Sequence, residues 1–204
     1  MNLYPFNRKM GQLIQTDAGK VSTDHAFLAH FQVPALLATV AAPAGIHAAN
    51  ATSSTVITTV TAAITQPSVP RNITATAGGT SASIAAVQVT ITGTNYADEV
   101  ITEDLPAFTV DTAGIVTGSK AFKTVTSIVI PIMDGAGATV AIGFGEKLGL
   151  PFVLAHNTVL KTFFDNIIEA TAPTLTVSTT VLEINTIDLN SALNSKAIDV
   201  YLMV

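Results

Sequence analysis

The sequence predicts an all-β chain: a β-sandwich or barrel-like domain with an extended N-terminal arm and C-terminal strands. Three observations predict it. Thirty of the 204 residues are threonine, and Thr, Val and Ile are β-branched, stiff at χ1 and suited to a pleated surface. The helix formers Glu, Lys, Arg and Gln are scarce throughout. Short alternating segments recur between Gly, Pro and Asn turn signals, at the spacing of roughly 8–12 residues that sandwiches and barrels use.

The elements follow in order. Residues 1–30 carry Asn7-Arg8-Lys9, Lys20 and Asp24 with no clear period, and read as an extended arm. No Lys or Arg occurs between Lys20 and Arg71. Residues 34–51 are Ala-rich and punctuated by Pro34, Pro43 and Gly45, which reads as loop. Residues 52–64 (TSSTVITTVTAAI) read as a strand, with Val56, Thr58 and Val60 on one face and Ile57 and Thr59 on the other.

Pro67 and Pro70 mark an extended lead-in to residues 71–77, where Ile73, Ala75 and Ala77 share a side. Gly78-Gly79 is a turn signal. Residues 86–92 (AVQVTIT) alternate, placing Val87, Val89 and Ile91 together, and Gly93-Thr94-Asn95 makes the next turn. Residues 99–105 set Val100 opposite Ile101. Residues 120–130 read as a strand pair or one bent strand closed by Pro131, with Ile128 and Ile130 joining the same core. Asp134-Gly135-Ala136-Gly137 is a tight turn before a strand at 138–144.

Beyond Pro151 the pattern changes. Residues 152–170 have helical propensity, yet VLKTFFDNIIEA also reads as two strands joined at Asp165-Asn166, a two-residue hairpin turn. Strands follow at 174–180, 181–189 and 197–204. The division expected is an attachment segment over 1–60 and a β domain over 61–204, with its core in 66–150 and C-terminal strands in 151–204.

Composition narrows function. Hydrophobic residues make up 49% and charged residues 11%, about half the usual share. The longest apolar stretch, residues 33–49, is interrupted by Pro34, Pro43, Gly45 and His47, so no transmembrane helix is expected. The N-terminal MNLYPFNRKMGQLIQ lacks the apolar core of a signal peptide. Net charge is −5 with a pI near 5.1, which argues against a nucleic-acid partner. Cysteine is absent, so disulfide and thiolate chemistry are excluded. A surface this poor in charge suits broad contact with neighbouring subunits.

Residue types for catalysis are thinly spread. His25 and His30 are five apart, which puts them on opposite faces of a strand; His47 and His156 stand alone. Asp98, Glu99, Glu103 and Asp104 have the carboxylates that calcium prefers, without EF-hand spacing, and read as a solvated acidic face. The run Gly143-Phe-Gly145-Glu-Lys-Leu-Gly149 departs from G-x-G-x-x-G, and Pro151 follows where a nucleotide-binding helix would run. These glycines read as a sharp strand end. No catalytic site, metal or cofactor is expected.

Three stretches carry a family resemblance. They are ITQPSVPRNITATA at 64–77; VQVTITGTNYADEVITEDL at 87–105, continued by GSKAFKTVTSIVIP at 118–131; and GFGEKLGLP at 143–151 with LEINTIDLNSAL at 182–193. Over about residues 64–204 the chain resembles small all-β structural proteins of tailed bacteriophages. The resemblance implies a virion protein, foremost a capsid decoration (cement) protein on the head exterior, made in the host cytoplasm. Its implied partners are the major capsid protein lattice and itself, as a homotrimer, with neither nucleic acid nor membrane. A tail, neck or baseplate component and a fibre-type glycan-binding adhesin are the alternatives, Tyr96 being the only obvious aromatic platform for a sugar. Phe27, Leu28, Phe31, Leu36 and Leu37 are the expected interaction anchor, because they concentrate the large apolar side chains of the first sixty residues in one run.

Overall fold

A computed structural model describes residues 13–17, 19–22 and 27–204. The chain is all-β, with 48% of it in strands that curl into a half-barrel. The strands are β1 (Leu13–Thr16), β2 (Gly19–Ser22), β3 (Leu28–Val33), β4 (Ala42–Ala51), β5 (Thr58–Val60), β6 (Arg71–Gly79), β7 (Thr90–Thr94) and β8 (Val100–Asp104). They continue with β9 (Gly114–Phe122), β10 (Thr124–Ile130), β11 (Ala138–Gly149), β12 (Val159–Phe164), β13 (Ile167–Ile168), β14 (Thr174–Thr176), β15 (Thr186–Asp188) and β16 (Ile198–Met203). No described helix is long and apolar enough to cross a membrane.

Two cores organise these strands. In the first, the sheet β5-β10-β7-β8 faces β9-β6-β11, on which β4 also pairs. Ile73, Ala75 and Ala77 of β6 and Val140 and Ile142 of β11 meet Ile91, Ile101, Ile128 and Ile130 from the opposite sheet. The alternation read in 71–77 and 138–144 is therefore the inward face of a sandwich, whereas the strand expected at 86–92 is Thr90–Thr94 and takes in the Gly93-Thr94 expected as a turn. Val89 and Ile91 are fully buried, and Val87 packs against the same cluster. The expected strand pair at 120–130 is a corner: the chain leaves one sheet at Phe122 and enters the other at Thr124, pivoting on Lys123.

In the second core, the sheet β13-β12-β16-β3 covers the far end of β14-β15-β11. Phe31 and Val33 of β3, Ile198, Val200 and Leu202 of β16, and Leu148, Leu150 and Ile187 fill it. At the β12–β13 hairpin, Asp165 and Asn166 have φ of 54° and 65°. Two left-handed residues in succession are what a type I′ turn demands, and the strands within residues 152–170 are Val159–Phe164 and Ile167–Ile168 on either side of it.

Several expectations change. The arm expected over residues 1–60 is, in its described part from Leu28 on, largely strand, since β3 pairs with β16 along its whole length. Asn7-Arg8-Lys9, Asp24 and His25 lie outside the described residues. The loop expected at 34–51 contains β4, antiparallel to β11. Its Ala, Gly and Pro content hid it, yet small residues are what the pairing needs: a Cβ on Gly143 would overlap the Ala42 carbonyl oxygen. The strand expected at 52–64 shrinks to Thr58–Val60. There Ser53 Oγ accepts hydrogen bonds from the Thr55 and Val56 amides, a local turn that competes with the ladder and leaves Val56 and Ile57 exposed. Of the glycines at 143–149, only Gly149 ends a strand. Gly143 and Gly145 lie inside twelve-residue β11, where the register against β6 shifts between Phe144 and Leu148.

Arg71 sits at the joint between the cores, fully buried at the start of β6. Its Nη1 donates to the Thr39 carbonyl at 2.6 Å, and its guanidinium lies 4.7 Å from the centroid of the Phe144 ring. Nε and Nη2 have no hydrogen-bond partner among the described residues. Burial pulls its pKa down to about 10, opposed only by the charge of Glu146. The protonated form is thus the one folding disfavours, and that cost is present at every pH below about 10.

Two outcomes are expected. Ile91→Ala should cost about 2–5 kcal/mol in denaturant unfolding, as for other fully buried large-to-small changes. Arg71→Met should leave stability unchanged or raise it, because it removes a desolvated charge at similar volume, whereas Arg71→Ala should lower it by opening a cavity.

Candidate functional site: an outward sheet face

The strand period divides β3 and β16 cleanly. Phe31 and Val33 point inward with Ile198, Val200 and Leu202, so His30 and Gln32 share the outer face with Asp199 and Tyr201. The register completes this face. Leu28 is opposite Met203, His30 opposite Tyr201, and Gln32 opposite Asp199. Asp199 and Tyr201 are in turn opposite Phe163 and Lys161 of β12.

Its two ends differ. At one end Leu28 is exposed on this face, while Phe27 and Val204, also exposed, fall on the strand parity of Phe31 and Val200. The Phe27 and Val204 backbones exchange hydrogen bonds of 2.8 and 2.9 Å, which extends the β3–β16 pairing by one position. At the other end Gln32, Phe163, Asn166, Asp199 and Tyr201 line a groove. Between them, His30 Nε2 pairs with Asp199 Oδ1 at 2.7 Å, and the His30 ring stacks on Tyr201 with centroids 4.6 Å apart and planes 4° from parallel.

The five anchor residues do not form one patch. Leu28 is 63% exposed and Phe27 is exposed beside it, while Leu36 is 84% exposed on the turn after β3, at the opposite end of that strand. Phe31 is buried in the second core and Leu37 packs against it. A run of large apolar residues inside a strand is split by alternation, and the arm reading missed that split.

The other chemical candidates resolve into separate partners. His47 Nδ1 pairs with the Ala48 carbonyl. The four acidic residues are not one solvated face. Asp98 binds Lys123, Glu99 accepts from Asn95, and Asp104 accepts from Thr90. Glu103 is buried and accepts from the Ser119 amide, the Ser119 hydroxyl and the Lys120 amide. Gly118 makes room for it, since a Cβ there would lie 2.6 Å from Glu103 Oε2. Among the described residues no group of three or more His, Cys, Asp or Glu is placed to hold a metal ion. Tyr96 is partly exposed on the turn between β7 and β8. The aromatic that stands over polar groups is instead Tyr201, within the last strand.

Addition of EDTA should leave the melting temperature unchanged, because each carboxylate already has its own partner. Glu103→Ala should lower stability by about 1–3 kcal/mol, the cost of stranding buried donors. No protein-family model, curated protein or solved structure matches this chain.

Proposed function

We propose that this chain is a structural component of a bacteriophage virion, a capsid decoration protein that binds the outer surface of the major capsid protein lattice as a homotrimer. The reading rests on the resemblance in residues 64–204 and on the character of the surface. The observation that carries it is the set of large apolar side chains left exposed where β3 and β16 end, Leu28 on the outward face and Phe27 and Val204 paired through their backbones. Exposed apolar side chains grouped on a rigid sheet mark a contact surface rather than a reaction centre. The acidic balance and the scarcity of Lys and Arg favour a protein lattice over nucleic acid as the partner.

Localisation in intact particles by cryo-electron microscopy tests the proposal, with density expected on the head exterior. Density at the neck, tail or baseplate would replace this reading with the ring-forming alternative, and absence from particles would end both. The double variant Phe27→Ser, Leu28→Asp should keep its circular-dichroism spectrum while lowering head occupancy, since truncated anchors at an interface centre cost about 1–2 kcal/mol each. A truncation should stop before β3, because removing β3 would take Phe31 and Val33 out of the second core.

A further inference from the structure

We infer that the groove over Asp199 is a binding site for a neutral saccharide ring. It has a volume of about 320 Å³ and is lined by Gln32, Phe163, Asn166, Asp199 and Tyr201. Three of these form one row across the sheet, Phe163 opposite Asp199 and Asp199 opposite Gln32. Tyr201 is two residues along on the same face, and Asn166 overhangs from the β12–β13 turn.

The site is held in place before any ligand arrives. His30 fixes both of its central groups, fastening Asp199 Oδ1 at 2.7 Å and stacking on Tyr201. Phe163 braces Tyr201 from another side, edge to face, at 5.9 Å and 79°. The type I′ turn fixes the Asn166 backbone at φ 65°. Rotamers locked by such contacts lower the ordering cost of binding.

The lining selects the ligand class. It contains a carboxylate and no Lys or Arg, which disfavours anions. A wholly apolar ligand would strip water from Asp199, Gln32 and Asn166 and return no hydrogen bonds. An ammonium ligand can only donate, leaving the carboxamide N–H groups unanswered. A saccharide ring answers all of them: each hydroxyl both donates and accepts, and the ring's C–H face packs on an aromatic. The groove is open, so a single ring should bind weakly, with Kd about 1 mM. The inference goes beyond the structural role and does not need it. Should many copies decorate one particle, avidity would multiply the weak contact.

The test uses the isolated full chain, so its outcome is independent of where the protein sits on a particle. Saturation-transfer NMR is run with methyl glycosides of glucose, galactose, mannose and N-acetylglucosamine, with N-acetylneuraminic acid as the anionic probe and choline as the cationic one. Saturation is expected on ring C–H protons of at least one neutral glycoside and on neither charged probe. Gln32→Ala, Asp199→Asn and Asn166→Gly should each weaken that binding by about fivefold or more, the value of one hydrogen bond. Asn166→Gly keeps the turn, because glycine accepts the positive φ without strain, and circular dichroism checks that each variant is folded. No transfer to any neutral glycoside, transfer to choline alone, or binding indifferent to all three folded variants would overturn the inference.

Discussion

Strand β11 has to serve two cores at once, and the rest of the architecture follows from that requirement. Its first half buries Ala138, Val140, Ile142 and Phe144 in the sandwich, and its end delivers Leu148 to the second core. Leu148 keeps the parity of Val140, Ile142 and Phe144, and between Phe144 and Leu148 the pairing with β6 shifts by two residues, so the strand bends as it passes from one core to the other. Gly143 and Gly145 make the bend tolerable by leaving room for the Pro43 backbone on one side and the Asn72 carboxamide on the other. Asn72 then repairs the ladder, its Oδ1 accepting the Lys147 amide at 3.0 Å. Arg71 fills the wedge between the cores with a long side chain, at the expense of desolvating its charge.

A polar network links β8 and β9, the edge strands of the two facing sheets. Asn95 follows β7, Glu103 lies on β8, Ser119 and Lys120 on β9, and Glu183 on the short turn before β15. Lys120 Nζ reaches Glu183 at 3.3 Å and the Thr102 carbonyl at 3.0 Å, while Asn95 reaches Glu183 at 3.4 Å. Three segments distant in sequence are thus pinned by groups that satisfy one another. A network of this kind contributes little net energy beyond what its desolvation costs. Its alternatives, in which any member is left alone, are worse, so it specifies how the edges of the sheets meet.

Much of the fold was legible because its signals are local. Alternation marked the inward faces of β6, β7, β10 and β11, and Asp165-Asn166 announced a hairpin from two residues. Strand β4 was hidden because its identity lies in what it pairs with: APAGIHAANA has no propensity of its own and is a strand because β11 leaves a glycine-lined edge for it. The outward face was half legible. LAHFQV and AIDVYLMV each alternate, so His30, Gln32, Asp199 and Tyr201 could have been assigned to exposed faces. What no local pattern gives is their meeting, which depends on a pairing between residues 169 apart. The buried role of Glu103 was equally invisible, since its partners are backbone amides on another strand.

That pairing of β3 with β16 also bears on how the molecule is made. Every other strand in the second core must be laid down before the sheet can receive its final member, because His30 waits for Asp199 across 169 positions of chain. Long-range closure of this sort pays its loop entropy before any contact repays it, and such topologies fold slowly. During synthesis the sandwich of β5 to β11 can close while β3 is still unpaired, with Leu28 and Phe31 lacking a partner strand. The order of assembly is therefore written into the topology: sandwich first, then the outward face, whose site exists only once the chain has come back to β3.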